Sequence, residues 1–70
     1  MKSLSGHALC SVVERHGWQL KRITGSHHIY SKAGMRVRLS IPVHGHRDLP
    51  LGTLRSLLKD AGLREADLDA

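Results

Sequence analysis

The sequence predicts an α+β fold in which a helix, three antiparallel strands and a second helix follow in order, with both helices covering one face of the sheet. Three observations predict it. Apolar residues recur at the helical period near both ends of the chain, they alternate at the strand period between those ends, and glycine or proline stands where each period changes.

From Ser5 to His16, the apolar residues Ala8, Leu9, Val12 and Val13 make one stripe of a helix about three turns long. Ser5 is placed to cap its start and Gly17 to end it. The opposite side, with His7, Ser11, Glu14 and Arg15, reads as a solvent face. After Gly17 the period changes, and Trp18 to Thr24 reads as a strand with one buried and one wet face. The indole of Trp18 is expected to plug the core between helix and sheet. Gly25-Ser26 breaks the strand. His28-Ile29-Tyr30 reads as the second strand and Lys32-Ala33-Gly34 as a hairpin connection. Met35 to Ile41 reads as the third strand, because Met35, Val37, Leu39 and Ile41 alternate with Arg36, Arg38 and Ser40. The open face of the sheet would then carry Arg36 and Arg38.

Pro42 ends that strand, since it has no N–H to give to a ladder. The polar segment Val43-His44-Gly45-His46-Arg47-Asp48 leads to Leu49-Pro50, where proline suits the first turn of a helix. The second helix runs to about Ala61 with Leu51, Leu54, Leu57, Leu58 and Ala61 as its stripe, and Gly62 stops it. Residues 63–70 are read as an acidic turn or tail. No repeat or linker divides the 70 residues, so 1–70 is read as a single small domain.

Charge points to the class of partner. There are 11 Lys and Arg against 6 Asp and Glu, a formal net charge of +5, and Asp60, Glu65, Asp67 and Asp69 all fall near the end. What precedes them is more basic than the total suggests, which favours nucleic acid or an acidic protein over a neutral small molecule. Cys10 is the one cysteine, so an internal disulfide is impossible and a reducing compartment is expected, with Cys10 simply packed. No stretch has the apolar length of a signal peptide or a membrane span, and a cytoplasmic location is expected.

Reactive groups concentrate in Gly25-Ser26-His27-His28 and in His44-Gly45-His46-Arg47. Histidine ordinarily titrates near neutral pH, at roughly 6.5, so it can take a proton from a ribose 2′-OH without a metal while cations steady the charge that develops on phosphorus. Successive strand residues point to opposite faces, so at most one of His27 and His28 lines a given site. Gly25 and Ser26 would shape the approach of a phosphate. Lys21, Arg22, Arg36 and Arg38 are candidate RNA contacts. A metal site is disfavoured by the spacing of the histidines, which lack a carboxylate or a second pair at zinc-ligand separation.

Gly17-Trp18, Gly25-Ser26-His27-His28-Ile29-Tyr30, Ile41-Pro42 with His44, and Asp48-Leu49-Pro50-Leu51-Gly52-Thr53-Leu54-Arg55-Ser56-Leu57-Leu58-Lys59-Asp60-Ala61-Gly62-Leu63 form an ordered set across nearly the whole chain. Together they resemble the HicA family, toxins of type II toxin–antitoxin modules. The resemblance implies a double-stranded-RNA-binding-domain-like α-β-β-β-α fold, endoribonuclease cleavage of mRNA with no cofactor, and a HicB-type antitoxin that covers the active site. It also implies that the catalytic histidine is the one directly after Gly-Ser, His27, with His28 as the alternative. The segment Pro42-Val43-His44-Gly45-His46 departs from the Pro-His-Pro-like stretch of many relatives, so the resemblance assigns His44 no role. A non-catalytic RNA-binding module of the same fold is the rival reading.

Overall fold

A computed structural model describes residues 3–69, Asp69 by its backbone alone. Helix α1 spans Gly6–Arg15, strand β1 Gln19–Thr24, β2 His27–Ser31 and β3 Leu39–Pro42, and helix α2 spans Leu51–Ala61. A 3-10 turn at Glu65–Asp69 follows. The order is therefore α-β-β-β-α. The strands form one antiparallel sheet with β2 in the centre, and both helices pack against β3.

Local chemistry starts and stops each helix. The Ser5 hydroxyl accepts from the Ala8 N–H at 3.1 Å, a side-chain cap that satisfies one of the free donors of the first turn. At the other end the Gly17 N–H reaches the Glu14 carbonyl at 3.2 Å while the Trp18 N–H reaches Val13 at 3.0 Å. That paired-bond turn carries Trp18 straight back onto Val13, and both side chains are buried. Helix α2 ends in the same way, with Gly62 bonded to Lys59 and Leu63 to Leu58. Its start differs slightly from expectation. Pro50 is the residue before the first helical one, and no side chain caps it.

One core joins the elements: Leu9, Cys10, Val12 and Val13 from α1, Trp18, Tyr30, Leu39 and Ile41 from around the sheet, and Leu49, Leu54, Leu57, Leu58 and Ala61 from α2 and its approach. Trp18 fills the predicted place, although its indole N–H has no partner among the described residues. Leu51, by contrast, is exposed, so the stripe of α2 begins at Leu54. Helix α1 sits close to the sheet because Gly6 carries no side chain. A Cβ there would lie 1.9 Å from the Pro42 carbonyl oxygen.

Two expectations about the sheet need correction. Residues 35–38 are not strand. The register pairs Tyr30 with Leu39 and His28 with Ile41, so Leu39 and Ile41 fill the core under the helices and everything between Ser31 and Leu39 is left to the connection. Arg36 and Arg38 thus lie in that connection and not on a strand face. Secondly, β1 has no buried face: Leu20 and Ile23 are 45% and 55% exposed. The helices are seated over β3 and β2, and β1 extends past them as a free edge. A bulge between Leu20 and Arg22 and the cations Lys21 and Arg22 interrupt that edge, which discourages another strand from adding to it.

Candidate functional site

The β1–β2 hairpin turns on Gly25-Ser26, with Thr24 and His27 paired on either side. Gly25 has φ +59, the left-handed value that the first central residue of a two-residue hairpin turn takes. Nothing lies within 4 Å of where its Cβ would be, so glycine is required here by the backbone and not by space. The Ser26 carbonyl accepts from the Val43 N–H at 2.7 Å. This bond ties the turn to the end of β3 and sets His27 opposite Pro42.

Pairing then separates the two adjacent histidines. Cross-strand partners share a face, and Tyr30, Leu39 and Ile41 are all buried, so His28, opposite Ile41, points to the helix-covered side. There its Nδ1 lies 3.9 Å from the Cys10 Sγ of α1. His27 and its partner Pro42 belong to the other side, and His27 is exposed.

Beneath the sheet the polar groups form a short series from α1 to β2. The Tyr30 hydroxyl donates to the Glu14 carboxylate, which gives the otherwise solvent-facing Glu14 a structural partner. Desolvation by burial, reinforced by the bond to Glu14, pushes the phenol of Tyr30 far above its ordinary range. Burial likewise raises the Cys10 thiol. Both groups are therefore held neutral, and Cys10 is packed as expected, with a protonated and unreactive thiol. The ring of Tyr30 is in the core.

On the open side the register gathers His27, Thr24, Pro42, Ile29, Arg22 and Ser40. Arg22 is opposite Ile29, one step along that face from His27, and Lys21 is the extra residue of the bulge beside it. Gly25 and Ser26 adjoin His27 directly. Arg36 and Arg38 are exposed, but they stand in the β2–β3 connection, at the far end of β2 from His27 and roughly 13 Å along the strand. The structure thus brings Gly25, Ser26, His27 and Arg22 together, keeps Lys21 at their margin, and sets Arg36, Arg38 and His28 apart from them.

Two residues to which the sequence gave no role, His44 and Arg47, come after Pro42, the strand partner of His27. Pro42, His44, Arg47, Leu49, Pro50 and Thr53 help line a cleft of ≈ 300 Å³ at the end of β3. Asp48 also contributes to its wall while its backbone bridges to Ser5. Residues 44–47 form a turn closed by the Arg47 N–H on the His44 carbonyl at 3.1 Å. The signal for His44 was the parity of the chain: Ile41 and Val43 face the core, so Pro42 and His44 alternate away from it. A second, shallower depression of ≈ 370 Å³ lies by the other end of α2, where Arg55, Lys59 and Arg64 collect. Among the described residues no group of three His, Cys, Asp or Glu side chains is placed to hold a metal ion, and no helix is long and apolar enough to cross a membrane.

A family model described as the HicA toxin of bacterial toxin-antitoxin matches residues 6–63. The match takes in both helices, all three strands and every residue of the site described above. A comparison with curated proteins finds no match.

Proposed function

The chain belongs to the HicA toxin family of bacterial toxin–antitoxin proteins, a membership that implies an antitoxin partner, and on that premise we propose that it is a cytoplasmic endoribonuclease that cleaves mRNA and is neutralised by a HicB-type antitoxin. The observation that carries the proposal is the exposed imidazole of His27, next to the Gly25-Ser26 turn and on the same sheet face as Arg22.

In this reading His27 is the general base. Its neutral ring takes the proton of a ribose 2′-OH, and the oxygen attacks the adjacent phosphorus. Removing that proton as the bond forms is worth about 10²–10⁴ in rate. Arg22, with Lys21 beside it, meets the negative charge that builds on the phosphoryl oxygens. The bare backbone at Gly25 lets the phosphate come close, because no side chain stands in front of it. Arg36 and Arg38 contact the RNA further along the strand and hold it by charge. No step in this sequence requires a metal. His28 is the alternative base; its place beside Cys10 under the helices argues for His27.

Purified protein incubated with RNA in the presence of a chelator tests the proposal. Wild type cuts the RNA, and His27→Ala abolishes cutting with the unfolding midpoint nearly unchanged, because the ring is exposed. Binding weakens steeply as salt rises, since each phosphate contact releases counterions. If the folded wild-type chain binds RNA and leaves it whole, it is a non-catalytic RNA-binding module and the enzymatic reading is wrong.

A further inference from the structure

We propose that His44 is the general acid of the same site, the group that protonates the departing 5′-oxygen; this rests on the reading of His27 as the base of a ribonuclease. The geometry comes from the ladder. His27 pairs with Pro42, and the bond from the Val43 N–H to the Ser26 carbonyl carries the pairing one residue beyond β3. Val43 packs against the core, so the same alternation carried one residue past the end of β3 assigns exposed His44 to the side of Pro42 and His27. Residues in this diagonal relation lie about 7–8 Å apart with their Cβ atoms somewhat closer, a separation that a phosphodiester spans between two imidazoles.

Three further features fit. His44 is exposed and shares a cleft wall with Pro42, the strand partner of His27, so a nucleotide continuing past the scissile phosphate has room of ≈ 300 Å³ to enter. Arg47 stands in the same wall and offers a cation to the phosphate. The turn bond from the Arg47 N–H to the His44 carbonyl holds the two residues at the ends of one tight turn. His46, by contrast, lies at the tip of that turn and does not line the cleft.

The step balances without another reactant. The 2′-OH gives its proton to the neutral His27 ring, a 2′-O–P bond forms as the P–O5′ bond breaks, and the electron pair leaving with O5′ takes a proton from the His44 imidazolium. The products are a 2′,3′-cyclic phosphate and a 5′-hydroxyl end, and exchange with water resets both rings.

A sulfur-substituted substrate tests this directly. A thiolate leaves without needing a proton, so RNA with sulfur in place of the bridging 5′-oxygen at one position bypasses a general acid. On ordinary RNA, His44→Ala and His44→Gln cut about 10²–10⁴-fold more slowly than wild type, while His46→Ala keeps the wild-type rate. On the sulfur substrate the two His44 variants recover to within about tenfold of wild type, and His27→Ala stays defective on both. Circular dichroism shows that the variants are folded. His44 variants that cut ordinary RNA at the wild-type rate, or that are equally slow on both substrates, overturn the assignment of His44 and leave His27 standing. A wild-type chain that cuts neither substrate overturns the ribonuclease reading itself.

Discussion

Gly6→Ala sets helix propensity against packing, and the two give opposite signs. Gly6 is the first residue of α1, and a Cβ built on it falls 1.9 Å from the Pro42 carbonyl oxygen and 3.3 Å from the Val43 Cα. Both contacts are with backbone, so no flexible side chain can swing aside. Propensity alone would favour alanine by up to about 1 kcal/mol. Against that, the oxygen contact is more than 1 Å inside the 3.0 Å that real Cβ atoms respect, and relieving it means lifting α1 from β3. Overpacking of this kind costs about 1–3 kcal/mol, occasionally more. Backbone on backbone with no slack puts the cost at the upper end, and the net loss is roughly 2 kcal/mol, or a fall in Tm of roughly 8–16 °C for a chain of this size. Urea and thermal unfolding followed by circular dichroism measure it, with an unchanged urea m value showing that stability has changed and not the surface exposed on unfolding. Gly52→Ala is the control. Gly52 is an exposed residue of α2 with nothing within 4 Å of its Cβ position, and there alanine stabilises by up to about 1 kcal/mol. A Gly6→Ala protein as stable as wild type, or more so, would refute the seat of α1 on the end of β3.

Tyr30→Phe removes the hydroxyl that donates to Glu14 and lowers stability by about 1 kcal/mol at neutral pH. Because the folded phenol is held above its ordinary value, its contribution is complete below the unfolded pKa of about 10 and declines as pH rises beyond it, while the unfolded chain loses the proton first. Urea midpoints measured from about pH 8 to pH 11 should therefore fall more steeply for wild type than for Tyr30→Phe, and parallel curves would contradict the buried neutral phenol. Ile23→Thr on the exposed edge strand leaves stability within about 0.5 kcal/mol of wild type. Leu54→Ala, at a fully buried position on α2, costs about 2–5 kcal/mol, and similar losses at both sites would mean that β1 is covered after all.

Most of the fold was legible because its signals are local. Ser5, Gly17 and Gly62 mark helix ends through bonds to residues three to five positions away, and those bonds form where the sequence placed them. The β1 and β3 misreadings have one cause, that strand patterns report alternation and not pairing. Met35 and Val37 alternate with arginines as well as Leu39 and Ile41 do, yet only the latter pair lies opposite Tyr30 and His28 under the helices. Leu20 and Ile23 are three apart and would lie on opposite faces of a regular strand. The bulge between them puts both on the helix side, where β1 extends too far to be covered. The parity rule did say that His27 and His28 part company. Which of them is buried depends on register, a long-range property that neither histidine announces.

That dependence makes the core a determinant of the site. A slip of β2 by a single residue would turn His28 outward and His27 under α1, leaving every local motif intact. Several contacts resist the slip from different directions. Gly25 permits a turn of only two residues, the Ser26–Val43 bond fixes the turn against β3, and Tyr30 reaches Glu14 only when it faces the helices. Moving Tyr30 to the open face would strand Glu14, expel an aromatic ring that is now buried and leave Leu39 and Ile41 without their neighbour. The cost of that error is a large part of what so small a chain has available for folding. The exposed imidazole is thus specified less by the residues beside it than by the buried ring three positions along.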